Sequence, residues 1–115
     1  MSVRVRRIYD PPEADDGLRV LVDRLWPRGL AKDVARVDEW PKALTPSNEL
    51  RRWFHGGGSY EEFRSRYEAE LGAPEAAGLL EGLRTSVRTG RVTLLTASRT
   101  PEQSHARVLL ELLTG

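Results

Sequence analysis

The stretch Leu18-Arg19-Val20-Leu21-Val22-Asp23-Arg24-Leu25-Trp26-Pro27-Arg28-Gly29-Leu30 decides how this chain folds. Its first five residues are short, β-branched and apolar, the pattern of a strand buried along most of its length. Asp23-Arg24 ends that strand. Trp26-Pro27-Arg28-Gly29 then turns the chain out of the sheet, because proline has no donor for a ladder and glycine tolerates positive φ. A carboxylate and two guanidiniums therefore leave at the strand's carboxyl end, the edge where α/β sheets bind ligands.

A second run of the same kind, Arg91 to Ala97, is the other core strand. Three helical segments separate the two, which is enough chain for them to lie parallel. In the first, Pro46 suits the opening turn and Leu50, Trp53 and Phe54 share one face. Ser59 and Glu62 form a capping box that opens the second, where Tyr60, Phe63, Tyr67 and Leu71 make an apolar stripe and Glu62–Arg66 and Arg66–Glu70 are spaced as outer ion pairs. The third runs from Glu75 to Thr89 with Leu79, Leu80, Leu83 and Val87 inward, and Gly90 stops it. After the second core strand, Thr100-Pro101-x-Gln103 reads as the start of a last helix that buries Ala106, Leu109, Leu110 and Leu113 and places His105 in its first turn, facing the strand ends.

Upstream, Val3 to Ile8 reads as an edge strand blunted by Arg4, Arg6 and Arg7, and Tyr9 to Asp16, with two prolines, as an exposed acidic turn. Leu30 to Arg36 suits one or two helical turns, and Val37 to Trp40 a short further strand stopped by Pro41. The expected fold is α/β: a single domain over residues 1–115, a mostly parallel sheet with helices packed on it, a Rossmann-like layered sandwich.

Eighteen Lys and Arg stand against seventeen Asp and Glu, a formal net charge of +1, so no bulk field drives nucleic-acid or membrane binding. All the cations except Lys32 and Lys42 are arginines. The chain has no cysteine, which removes disulfides, thiolate catalysis and thiolate metal sites together. Two histidines without cysteine argue against structural zinc, and nothing supports magnesium at Asp23. The opening MSVRVRRIYD lacks an apolar core for a signal peptide, and no apolar run approaches the length of a membrane span. A cytoplasmic protein is expected. The sequence names no cofactor and no oligomeric state.

Parallel strands would bring Asp23, Arg24 and Arg28 beside Ser98, Arg99 and the amino end of the last helix. Arginine forks and free helix amides there suit phosphate or carboxylate. His105, with Asp23 or Ser98, has the residue types of an acid-base pair, although no G-x-S-x-G elbow surrounds Ser98. The competing reading pairs Asp23 with Arg24 inside the fold and leaves Arg28 and Arg99 on a solvated rim. His55 reads as a helix-end cation, Arg51 and Arg52 as solvated, and the three tryptophans as packing residues. Gly56-Gly57-Gly58-Ser59 follows a helix and lacks the G-K-[ST] ending, so it is no phosphate loop.

With these residues in view, the chain resembles the YeaO-like family of small bacterial proteins, a branch of a larger family of domains of unknown function. Arg7-Ile8-Tyr9-Asp10, the run Arg19 to Gly29, Trp40-Pro41-Lys42, Pro46-Ser47, Glu49-Leu50-Arg51, Phe54-His55, Thr93-Leu94-Leu95 and His105-Ala106 carry the resemblance nearly end to end. It implies an α/β sandwich. In the larger family an Asp-x-Arg-like strand end and a later Cys-His-Arg-like motif form a shared site; Asp23-Arg24 and Pro27-Arg28 resemble the first, and Ser104-His105 stand where the second has Cys-His. Relatives commonly carry Asn before that His and Tyr where Thr96 stands, so this chain departs at both. The carried-over candidates are Asp23, Arg24, Arg28 and His105, which leaves three expectations. The first is a small anionic ligand, phosphate- or carboxylate-bearing, bound or hydrolysed at the strand ends. The alternatives are a nucleic-acid-associated module and an interaction domain without a site.

Overall fold

Arg91–Thr96 is the central strand, because its residues are apolar or small on both faces and Val92 through Thr96 are buried without exception. The computed structural model describes residues 2–114. In it Ser2–Arg7 (β1) and Leu18–Leu21 (β2) pair in parallel with this strand (β3), in the order β1-β3-β2. The register sets Val5, Leu94 and Val20 in one row, and Arg4, Thr93 and Arg19 in the next row on the opposite face. One face is thus aliphatic, while the other carries the three guanidiniums of Arg4, Arg6 and Arg19 beside Ile8, Leu21 and Leu95.

The aliphatic face is covered by four helices, Asn48–His55 (α2), Tyr60–Glu70 (α3), Pro74–Thr89 (α4) and His105–Thr114 (α5). Phe63, Tyr67, Leu80, Leu83 and Leu109 pack there on Val20, Val92 and Leu94. The opposite face is covered by loops and by the short helix Lys32–Ala35 (α1), whose Ala35 meets Ile8, Leu21 and Leu95. The layers are therefore unequal, with the long helices on one side only. Trp26 and Trp40, edge to face at 5.5 Å, close that second layer, and Lys42 lies 4.2 Å over the Trp40 ring.

The connection from β1 to β2 explains the polar half of that face. Both strands run parallel to β3 from its two sides, so residues 8–17 must travel back along the sheet and across it. At about 3.3 Å per residue a ten-residue link has little slack, where such crossovers usually use a dozen or more. It lies flat and buries Asp16 on the Arg4-Thr93-Arg19 row. Gly17 then re-enters the sheet at φ +65°, and a Cβ there would meet the Arg91 carbonyl oxygen at 2.1 Å, so the position needs glycine.

Several local expectations are corrected. The Val37–Trp40 strand is reduced to one bridge between Glu39 and Val20, because Asp38 turns back to accept the Arg19 amide at 2.8 Å. Leu79 faces solvent, whereas Leu80 and Leu83 are buried. Helix α2 starts at Asn48 instead of Pro46, with Ser47 as its cap: the Ser47 hydroxyl accepts the Leu50 amide at 3.1 Å. Glu70 does not pair with Arg66; it accepts the Ser47 amide at 2.8 Å and the Ser47 hydroxyl at 2.6 Å, while Arg66 holds Glu62 at 2.9 Å. Ser47 thus ties the start of α2 to the end of α3. Ser47→Ala is expected to cost about 1 kcal/mol, the usual value of a lost cap, read as a lower urea midpoint. An unchanged midpoint would show that solvent serves the Leu50 amide equally well.

Candidate functional site

At the carboxyl ends of β2 and β3 the sheet opens into a cavity of about 640 Å³. Asp23, Arg24 and Arg28 enter it after β2, Ser98 and Arg99 after β3, and His105 from the first residue of α5. All six candidate residues therefore line one cavity, as the parallel order requires. The last turn of α2 forms the facing wall and adds Arg51 and His55, with Phe54 between them. Sequence reasoning set those two aside as solvated and as a helix cap. Their spacing of four residues, which puts them on one helical face, was the available signal.

Asp23 is the fixed point of the site. Its Oδ1 accepts the Thr96 hydroxyl at 2.8 Å and lies 2.8 Å from His105 Nε2, and its Oδ2 accepts the Ala97 amide at 2.8 Å. Asp23 does not pair with Arg24, because its oxygens are taken by Thr96, Ala97 and His105. Burial pushes the Asp23 carboxyl up, but the hydrogen bond and charge of His105, the Ala97 amide and the Thr96 hydroxyl outweigh it and hold the group below the usual carboxylate range. An ionised carboxylate only accepts, so His105 Nε2 carries the proton and Nδ1 is the ring atom left for other work. This is the geometry of a carboxylate-oriented imidazole. Among the described residues no hydroxyl is hydrogen-bonded to that ring.

Ser98 has a structural task. Its hydroxyl accepts the Thr100 amide at 3.2 Å, and its carbonyl accepts Arg7 Nε at 3.2 Å, which secures the loop after β3. The last helix does not begin at Thr100. A 3-10 turn, Pro101–Gln103, precedes it, and Ser104 is the residue that caps α5 by accepting the Ala106 amide at 3.2 Å. Its carbonyl accepts the Arg107 amide at 3.0 Å, so the Ala106 and Arg107 amides are already engaged. Charge for an anion therefore comes chiefly from side chains.

The side chains supply it. Arg24, Arg28, Arg51 and Arg99 all line the cavity, and among the described residues none of them forms an ion pair, whereas arginines elsewhere such as Arg4, Arg19, Arg64 and Arg107 each hold a carboxylate. Arg24 Nε is buried and has no hydrogen-bond partner. The one acidic side chain in the lining, Asp23, is committed to three donors. A second acidic group, Glu13, Asp15 and Asp16, has oxygens within 4.8 Å of one another, but Arg4, Arg6, Arg19 and Arg91 pair with its three carboxylates and offset their charge. No helix among the described residues is long and apolar enough to cross a membrane.

The family model described as "Inactive DUF488-N3 subclade" matches residues 2–115. The chain is 45% identical over 114 residues to the uncharacterized protein YeaO of Escherichia coli (strain K12), covering 98% of this chain and 97% of that one. It is 48% identical over 114 residues to the uncharacterized proteins Mb3100c of Mycobacterium bovis and Rv3073c of Mycobacterium tuberculosis (strain H37Rv), covering 98% of this chain and 94% of each. These matches bear out the resemblance to the YeaO-like proteins. No solved structure matches.

Proposed function

The chain belongs to the inactive DUF488-N3 subclade, and from that premise we propose that it binds a small phosphate- or carboxylate-bearing ligand in the cavity at the strand ends without breaking a bond in it. The observation that supports this reading is the gathering of Arg24, Arg28, Arg51 and Arg99, none ion-paired among the described residues, around one cavity. Arginine forks hold oxyanions bidentately, and a partly water-excluded wall strengthens each contact. In this reading Arg24, Arg28 and Arg99 hold the anion, Asp23 is a positioning residue, and His105 Nδ1 accepts a hydrogen bond from a ligand hydroxyl. The proposed setting is the cytoplasm.

Hydrolysis is the second reading, favoured by the Asp23–His105 dyad alone. There His105 would take a proton from water at Nδ1 while Asp23 stabilises the imidazolium. The nucleic-acid reading would place the same arginines on backbone phosphates, and its mark is a steep loss of binding with salt.

Thermal melts with inorganic phosphate, citrate and sugar phosphates, run beside Arg28→Ala, test the proposal. A ligand at a hundred times its dissociation constant adds about 2.7 kcal/mol, a rise of several degrees for a chain of this size. One anion class is expected to raise the wild-type melting temperature and to have little effect on the variant. If no anion moves the wild type, the anion site is wrong; product formation from the anion that does bind would replace binding alone with hydrolysis.

A further inference from the structure

The cavity is far larger than a lone oxyanion fills and lies within the 300–1,000 Å³ typical of sites for whole small molecules. Its basic side chains fall into two groups, Arg24, Arg28 and Arg99 at the strand ends and Arg51 on α2, where the His55 imidazole lies beside it. A smaller cavity of about 280 Å³ shares Arg51 and His55 with the first and continues past them to Asn48 and Arg52. Positive charge therefore runs as a track from the strand ends over the last turn of α2. A single phosphate would serve one end of it only.

The mouth of the same cavity is apolar and exposed. Tyr9 is 47% exposed and Leu25 68% exposed, and both line it. Tyr9 is also held in place: the Arg7 guanidinium sits 5.7 Å over its ring, and its hydroxyl donates to the Arg28 carbonyl at 3.4 Å. A half-exposed aromatic ring fixed on one face offers the other as a stacking surface, and such surfaces accept any planar heterocycle.

We propose that the ligand of this site is a nucleoside di- or triphosphate, with its base on Tyr9 and Leu25 and its phosphate chain between Arg24 and Arg51. The inference rests on the reading of the cavity as an anion site and adds the base and the second phosphate position. Each part is set by a different residue. Tyr9 reads the base and should not affect inorganic phosphate. Arg51 reads the phosphate that lies beyond the strand ends and should matter for a diphosphate more than for a monophosphate.

Calorimetric titration of the full chain with ADP, AMP, adenosine, inorganic phosphate and a short oligothymidylate tests it. ADP is expected to bind at least about tenfold more tightly than inorganic phosphate. Tyr9→Ala is expected to weaken ADP about tenfold and leave phosphate unchanged, the size of a lost stacking contact, and Arg51→Ala to remove the preference for ADP over AMP. Both positions are exposed or partly exposed, so the variants should fold, and unchanged melting temperatures without ligand check this. Equal affinities for ADP and phosphate would overturn the nucleotide while leaving the anion site intact. Loss of all binding in the wild type would overturn both. An oligothymidylate that binds more tightly than ADP, with affinity falling steeply in salt, would replace the nucleotide with single-stranded nucleic acid.

Discussion

Asp16→Ala is expected to remove about 3–5 kcal/mol of stability, the cost of leaving a buried charge without its partner. Asp16 is 1% exposed and is the acceptor for three guanidiniums: Arg6 at 3.1 Å, Arg4, and Arg19, itself only 4% exposed. It also accepts the Glu13 amide at 2.9 Å, and its carbonyl accepts the Thr93 hydroxyl at 2.7 Å. Without the carboxylate, Arg19 keeps the carbonyls of Ala35 at 2.8 Å and Arg36 at 3.1 Å but no counter-charge. For a domain with 5–15 kcal/mol in total, the loss is close to unfolding. It is read as a fall in urea midpoint at constant slope. A midpoint within about 0.5 kcal/mol of wild type would mean that water already serves the three arginines.

The same carboxylate sets an acid limit. Burial raises its pKa, but the Glu13 amide, the hydrogen bonds from Arg4 and Arg19 and the charge of Arg6 prevail, and it is lowered to about 2. A folded pKa below the unfolded one contributes stability that is complete above about pH 4 and lost as pH falls toward 2. The contribution is about 2 kcal/mol. It should be missing from the pH profile of Asp16→Asn.

What could be read in advance follows the range of the interactions. The strands around Val20 and Leu94, the Tyr60–Phe63–Tyr67 stripe and the Ser59 cap on Glu62 are written in residues a few positions apart, and each forms as expected. The start of α2 was misplaced because Glu70, 23 residues away, draws Ser47 into the cap position. Glu70 is for the same reason unavailable to Arg66. At the site, parallel strands were enough to bring His105 toward Asp23 across 82 residues. Arg51 was missed because α2 meets the strand ends only through the packing of Leu50, Trp53 and Phe54 on the core. The acidic, proline-rich return is exposed from Tyr9 to Asp15 apart from half-buried Pro12, as its composition implies; only Asp16 departs, and its burial follows from the strand order.

Asp23→Ala is expected to cost about 3 kcal/mol, since three donors lose a charged acceptor worth about 1.5–3 kcal/mol each and water recovers part of the loss. The Thr96 hydroxyl and Ala97 amide join the end of β2 to the end of β3, and His105 joins both to α5. His105→Ala separates these contributions. It leaves the strand clamp in place and should cost about 1 kcal/mol, one hydrogen bond. The difference between the two variants then measures the clamp. If both cost the same, the carboxylate acts on the fold through the imidazole alone and the Thr96 and Ala97 bonds add nothing. Because the folded carboxyl is held below its unfolded pKa, this contribution too is present above about pH 4 and declines below it, so the gap between Asp23→Ala and wild type should narrow as the urea series is repeated toward acid. A gap independent of pH would show that shape, not charge, is what Asp23 supplies.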